Sequence, residues 1–219
     1  MIALLDLGVG NLKSAEGGFA RVGATTTRVA DGEAFARLTR EAAVEGVVLP
    51  GVGAFGDAMF QLRTRELWPV IRQVVKEGIP LFGICLGMQL LFGRSEEHGA
   101  HVGLGLLRGH VVRFRDASDK IPHMGWNSLN FILPHPLLQG IQVGDFVYFV
   151  HSYHAVVEES QSLLASSDYA SVAVPAVVGT GHVFGAQFHP EKSGVVGEQI
   201  LHNFITYCST MARRKVEMS

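Results

Sequence analysis

The run Leu81-Phe82-Gly83-Ile84-Cys85-Leu86-Gly87-Met88-Gln89 constrains this chain more than any other segment. An uncharged apolar stretch, Ile79–Ile84, leads into a cysteine whose near neighbours on both sides are glycines, and helix-forming residues follow. A strand that turns sharply into a helix belongs to a parallel sheet with covered faces. Glycines beside the turn permit a strained backbone that pushes the cysteine side chain into the open. The helix then aims its first N–H groups and positive end at the sulfur, an environment in which cysteines become reactive. A structural cysteine buried at a strand end would share this local pattern. The rest of the chain has to decide between them.

Up to Gly93 the pattern alternates. Short apolar runs at Ile2–Leu7, Thr25–Ala30, Val44–Leu49 and Ile79–Ile84 read as strands. Between them Leu12–Val22, Glu33–Ala42, Ala58–Leu62 and Pro69–Glu77 carry helical spacing. Beyond it, Gly105–Phe114, Asn127–Leu133, Asp145–Val157, Leu163–Ser167 and Val172–Gln187 read as strands with few helices between. Gly179-Thr180-Gly181 is the expected hairpin turn, and Gly194–Met211 closes the chain as a helix. The expectation is an α/β fold. A mostly parallel sheet is covered by helices, and the second half is an antiparallel extension of that sheet or a layer beside it. With 219 residues, one domain over 1–219 is expected. No repeat, linker or low-complexity segment interrupts it.

Hydrophobic residues make up 47% and charged residues 17%, which excludes a disordered chain. A net charge of −2 gives no nucleic-acid footprint. Cys85 and Cys208 are the two cysteines, in unlike contexts, so a disulfide framework is not expected and a reducing compartment is. The first residues lack a basic region followed by a long apolar one, so no secretory signal is expected. The uncharged stretches Ile121–Gly144 and Tyr169–Pro190 contain prolines, glycines and histidines and do not read as membrane spans.

A cysteine nucleophile needs a base, and the base needs an orienting group. Ten histidines are available. His189 stands out in Gln187-Phe188-His189-Pro190-Glu191-Lys192-Ser193. On an extended backbone His189 and Glu191 share a face, so the carboxylate can hold one imidazole nitrogen and leave the other for the thiol. His123 and His151 are rivals without a carboxylate nearby in sequence, and read as pocket or structural residues. No histidine, cysteine and carboxylate spacing suggests a metal site. For a developing oxyanion, the N–H of Leu86 is the natural first donor, and the glycine-rich turn Pro50-Gly51-Val52-Gly53 is the source of a second. Gly8-Val9-Gly10 lacks the third glycine of a dinucleotide loop.

Taken together, these segments resemble the class I, triad-type glutamine amidotransferases over nearly the whole chain. The resemblance rests on Gly8-Val9-Gly10-Asn11, Pro50-Gly51-Val52-Gly53, Gly83-Ile84-Cys85-Leu86-Gly87, Pro122-His123-Met124-Gly125-Trp126-Asn127, Tyr148-Phe149-Val150-His151-Ser152-Tyr153 and Gln187-Phe188-His189-Pro190-Glu191. Within the class, Pro50–Gly53 and His123–Asn127 are similar to glutaminase subunits that serve a cyclase of histidine biosynthesis. The resemblance implies a flavodoxin-like fold, a Cys85–His189–Glu191 triad, and an oxyanion hole from Gly51, Val52, Gly53 and Leu86. It implies glutamine contacts from Gln89, Ser152 and Tyr153, no prosthetic group, and a cytoplasmic enzyme. The implied partner is a (βα)8-barrel cyclase in a heterodimer, met through Trp126, Asn127, Tyr148 and Lys192. There, ammonia and a phosphorylated ribulosyl intermediate would give imidazole glycerol phosphate. Two positions depart from the family pattern, Leu7 and His154.

Other readings stay open at this level. A glutaminase subunit of another pathway would share the triad and lack His123–Asn127. A stand-alone cysteine hydrolase of the α/β-hydrolase type would place the acid before the histidine, whereas here the order is Cys85, His189, Glu191. A non-catalytic binding module of the same fold would have no use for all three.

Overall fold

The computed structural model describes residues 1–8, 11–115 and 120–217. Val9 and Gly10, half of the expected first turn, lie outside the described residues. In chain order the first half is β1 (Ile2–Leu5), α1 (Leu12–Arg21), β2 (Thr26–Val29), α2 (Gly32–Glu41), β3 (Gly46–Gly51), α3 (Phe55–Thr64), α4 (Leu67–Lys76), β4 (Leu81–Cys85) and α5 (Leu86–Leu90). The second half is β5 (Phe92–Ser95), β6 (His101–Val102), β7 (Leu107–Arg113), β8 (His123–Ser128), β9 (Phe131–Ile132), β10 (Phe146–His151), β11 (Tyr153–Val157), β12 (Leu163–Tyr169), β13 (Val172–Thr180), β14 (Val183–Ala186) and α6 (Gly194–Glu217).

An eight-stranded sheet runs β2-β1-β3-β4-β14-β13-β12-β9. Its first five strands are parallel, and the last three attach antiparallel. A four-stranded sheet β11-β7-β5-β6 and a two-stranded sheet β10-β8 lie beside it. The second half is thus both an extension of the main sheet and a layer next to it.

Alternation along the parallel strands feeds two cores. Ala3, Leu5, Val47, Leu49 and Leu81 face one cluster, covered by α2, α3, α4 and α5. Ile2, Leu4, Val48, Phe82 and Ile84 face the other, covered by α1 and α6. Helix α6 supplies Ile200, Leu201, Phe204 and Cys208 at helical spacing, all fully buried. Each such large apolar side chain contributes about 1.5–3 kcal/mol. Helix starts follow side-chain capping: Asn11 accepts from the Ser14 N–H at 3.1 Å and Asp31 from the Ala34 N–H at 2.8 Å.

Several sequence expectations shift. The helix after Cys85 is only five residues long. The segment read as one strand, Asp145–Val157, breaks at Ser152, and its halves join different sheets, β10 with β8 and β11 with β7. Asn127–Leu133 likewise divides between β8 and β9. Strands β5 and β6 were not legible, because Gly93, Arg94 and His101 break the apolar alternation. Thr180 pairs with Val183, so the hairpin turn is Gly181-His182, one residue later than expected.

Candidate active site

Strand register assembles the site. In the main sheet β4 lies between β3 and β14, all parallel, so their carboxyl ends meet at one edge, where open α/β sheets hold ligands. Gly51 pairs with Cys85, and Ile84 with Ala186. Cys85 therefore stands between the turn Gly51–Gly53 and the segment Gln187–Glu191.

Cys85 takes φ +54° and ψ −110°, a conformation costly for any L side chain. Close packing enforces it. A Cβ on Gly87 would sit 1.7 Å from the Leu49 carbonyl oxygen, and one on Gly83 would sit 2.6 Å from the Gly87 backbone. The glycines let the turn press directly on β3 and on itself, leaving Cys85 at the top. Its thiol points toward the Val150 carbonyl at 3.9 Å, and the Gln187 side-chain amide donates to Sγ at 3.8 Å.

His189 Nδ1 lies 2.8 Å from Oε1 of Glu191, both side chains being almost fully buried. Burial disfavours the charged imidazole, but the neighbouring Cys85 and Glu191 outweigh it and raise the pKa to about 10. Nε2 of His189 and Oε2 of Glu191 make no hydrogen bond among the described residues. The free Nε2 is the nitrogen available to exchange a proton with a thiol. The pair is also fixed through its backbone: His189 N–H donates to the Tyr148 carbonyl at 3.0 Å, and Arg21 donates to the Glu191 carbonyl at 2.9 Å.

A cavity of about 360 Å³ opens in front, lined by Val52, Gly53, Cys85, Leu86, Gln89, Glu97, Pro122, Val150, His151, Ser152, Tyr153 and His189. Val52, 39% exposed, forms its rim, while Leu86 is buried behind it. Gln89 lines the wall with its amide nitrogen committed to the Tyr153 carbonyl at 2.9 Å and to Gln187 Oε1 at 3.0 Å. A larger cleft, about 640 Å³, lies at the opposite ends of β3 and β4 against α6, and brings no nucleophile to a base. No group of metal-binding side chains occurs among the described residues.

Sequence reasoning missed Glu97 and Gln187. Glu97 caps α3 by accepting from the Phe55 N–H at 2.7 Å and sits in an acidic loop without a motif. Gln187 reads in sequence only as a neighbour of His189. His151 lines the cavity, and His123 lies behind it, the two rings linked at 3.0 Å. Burial lowers their pKa values to about 3 and about 4. Both are neutral at pH 7, and neither is placed as the base. His154 packs on Phe114, away from the cavity, and Leu7 is core.

On the outer face of the β8–β10 pair, Trp126 (56% exposed) and Tyr148 meet edge to face, with exposed Met124 and Phe146 on the same side. Exposed Lys192 and Val195 follow His189 and Glu191 in sequence. Asn127 is the exception among the expected contact residues. It is half-buried and turned to the inner face, donating to the His123 ring at 3.2 Å and to the Asp168 carbonyl at 3.0 Å. The alternation of a strand forces this, since Trp126 beside it points out.

The profile of the family described as "Glutamine amidotransferase class-I" matches residues 3–208. Among curated relatives, "Imidazole glycerol phosphate synthase subunit HisH" of Geobacillus thermodenitrificans (strain NG80-2) is 52% identical over 210 residues, 94% of this chain and 95% of the relative. The protein of the same description from Natronomonas pharaonis is 47% identical over 215 residues, covering 94% of each. Among solved structures, one described as a glutamine amidotransferase superposes with TM-score 0.70 at 20% identity, over 95% of this chain and 98% of that one. PurLQS from Thermotoga maritima gives TM-score 0.71 at 19% identity, over 94% of this chain and 97% of that one. At these identities the structural likeness speaks for the fold.

Proposed function

This chain belongs to the class I glutamine amidotransferases, and on that footing we propose that it is the glutaminase subunit of imidazole glycerol phosphate synthase. It hydrolyses L-glutamine to glutamate and ammonia and passes the ammonia to the cyclase subunit in histidine biosynthesis. The observation that carries the reading is the meeting of Cys85 with the His189–Glu191 pair at the carboxyl edge of three adjacent parallel strands, beside a cavity of about 360 Å³.

Cys85 gives its proton to Nε2 of His189, and Sγ attacks the side-chain amide carbon of glutamine. Glu191 holds Nδ1, fixing which nitrogen faces the sulfur and stabilising the imidazolium. The oxyanion is met by the Leu86 N–H and by an N–H of Gly51, Val52 or Gly53, whose turn lies one strand away. The imidazolium returns its proton to the leaving nitrogen, ammonia departs, and a glutamyl thioester remains. Water, deprotonated by His189, then releases glutamate. Gln89, Ser152 and Tyr153 wall the substrate cavity.

Ammonia in bulk water is protonated and lost as a nucleophile, so a synthase must take it over directly. We place the (βα)8-barrel cyclase, in a heterodimer, on the outer face of β8–β10. Trp126, Tyr148 and Lys192 carry that contact, while Asn127 acts from the inner side of the strand. One domain spans the chain, as the family match over 3–208 supports. The enzyme works in the cytoplasm, and no helix among the described residues is long and apolar enough to cross a membrane.

The test is glutamate release by the purified chain, alone and with the cyclase and its nucleotide ligand, scored beside cyclised product. Release that depends on Cys85 and feeds cyclisation supports the reading. A chain that releases no glutamate in the complex overturns it.

A further inference from the structure

We propose that Gln187 is a positioning residue for the sulfur of Cys85, held in its donor orientation by Gln89, whose amide nitrogen is anchored on the Tyr153 carbonyl. A directed chain of hydrogen bonds from Asn127 on β8 through His123 and His151 ends on that same carbonyl, so the two donors, His151 and Gln89, together fix its position. The functional part of this inference rests on Cys85 being the nucleophile; the direction of the chain does not.

Direction follows from backbone groups, which have one role each: a carbonyl accepts and an N–H donates. The Tyr153 carbonyl receives Nδ1 of His151 at 2.8 Å and Nε2 of Gln89 at 2.9 Å. His151 therefore carries its proton on Nδ1, and its Nε2 is an acceptor in the neutral ring. Nδ1 of His123, 3.0 Å from that Nε2, must then be the donor. This leaves Nε2 of His123 to accept from Nδ2 of Asn127 at 3.2 Å. The far end independently demands the same polarity. Nδ2 of Asn127 also donates to the Asp168 carbonyl at 3.0 Å, and its Oδ1 accepts from the Ser128 N–H at 2.8 Å. Both rings satisfy both ends only as Nδ1–H tautomers. Burial of the two rings, which keeps them neutral, agrees with this.

On the other side of Tyr153, Gln89 also donates to Oε1 of Gln187 at 3.0 Å. The amide of Gln187 is thereby turned so that Nε2 faces Sγ of Cys85 at 3.8 Å. Gln187 is 0% exposed, so no solvent competes for either end of its amide. The consequence lies at the sulfur. As a thiol, Cys85 directs its proton toward the Val150 carbonyl at 3.9 Å. Once the proton has gone to His189, that carbonyl only repels the sulfur, whereas the Gln187 N–H attracts it more strongly than before. The outer end of the chain lies on the strand whose opposite face carries Trp126.

Two experiments decide it. Imidazole ¹⁵N shifts of the isolated chain near neutral pH should show His123 and His151 both as Nδ1–H tautomers. An Nε2–H tautomer at either ring overturns the chain. Second, Cys85 alkylation by iodoacetamide, and steady-state glutaminase kinetics in complex with the cyclase and its nucleotide ligand, are compared for the unaltered chain, Gln187→Met, Asn127→Asp and the double variant. Gln187→Met should slow alkylation and lower kcat about tenfold with little change in KM, the loss of one hydrogen bond to a charged group. Asn127→Asp should act in the same direction by less, and add nothing to Gln187→Met. Unaltered kinetics in folded Gln187→Met, or losses that multiply in the double variant, overturn the proposal. Should Gln187→Met fail to fold, the tautomers and the Asn127→Asp kinetics decide alone. Glutamate release by the unaltered chain in complex with the cyclase and its nucleotide ligand reads the nucleophile separately: its absence, with both tautomers as stated, retires the glutaminase reading and leaves the hydrogen-bond chain standing.

Discussion

Gly18 on α1 lies against Glu191 so closely that a Cβ built on it would come within 2.7 Å of the Glu191 Cβ and 3.2 Å of its Cα. The helix is therefore the floor under the carboxylate that orients His189, and the absence of a side chain at one position sets the height of that floor.

Gly18→Ala should lift Glu191 and tilt the imidazole while leaving the glutamine cavity intact. We expect kcat to fall about tenfold with KM little changed, and stability to drop by about 1–3 kcal/mol from overpacking. Steady-state glutaminase kinetics and urea unfolding on the same preparation check both. Unchanged kcat would show that the helix yields in place of the carboxylate.

Cys85→Ala should lower glutamate release by about 10⁴-fold or more and leave the fold in place. A glutamine-like electrophile should label Cys85 and spare Cys208. Cys208 is fully buried, and burial pushes its thiol pKa far up. Peptide mapping of the labelled chain gives the answer, and label on Cys208 would contradict it.

His189 and Glu191 should behave as one unit. His189→Ala alone should cost several orders of magnitude, and adding Glu191→Ala should cost little more, since triad members are strongly non-additive. Fully multiplicative losses in the double variant would separate Glu191 from the base.

Acid should destabilise the fold through His123 and His151. Their folded pKa values, about 4 and about 3, lie below the ordinary value of 6.5. The unfolded chain then binds more protons between pH 6.5 and 3. Stability from these rings is present above 6.5 and lost as pH falls toward 3–4, by on the order of a few kcal/mol per ring at the acid limit. Urea midpoints measured from pH 7.5 to 4 should fall, and His123→Gln should flatten the slope.

The parallel half was legible because its strands declare themselves. β1 and β4 are buried along their whole length, and glycine or proline bounds β3 and β4. Cys85 was legible because glycine spacing reports local backbone geometry; His189 and Glu191 pair as expected, but through a short 3-10 turn over Pro190–Lys192 and not the extended backbone the spacing suggested. Gly18, Gln187 and the inward turn of Asn127 were not. Each takes its meaning from a partner far away in sequence, Glu191, Cys85 and Asp168 respectively, and only the register of the sheets brings those partners near. The strand break at Ser152 was unreadable for a related reason: nothing local marks the point where the run Asp145–Val157 changes sheets.

Three strand ends distant in sequence, at Gly51, Cys85 and Ala186, share one edge of the sheet, and no single segment of the chain holds a working part of the site. Hydrolysis is thus a reporter of assembly. If the chain is cut in the loop between β5 and β6, where His98, Gly99 and Ala100 are exposed, one fragment carries the sulfur and the other carries the imidazole. Neither fragment alone should turn over glutamine, and mixed fragments should do so only to the extent that β14 finds its place beside β4. The same interleaving makes the enzyme intolerant of partial folding: a molecule in which β14 has not joined β4 has also lost its base.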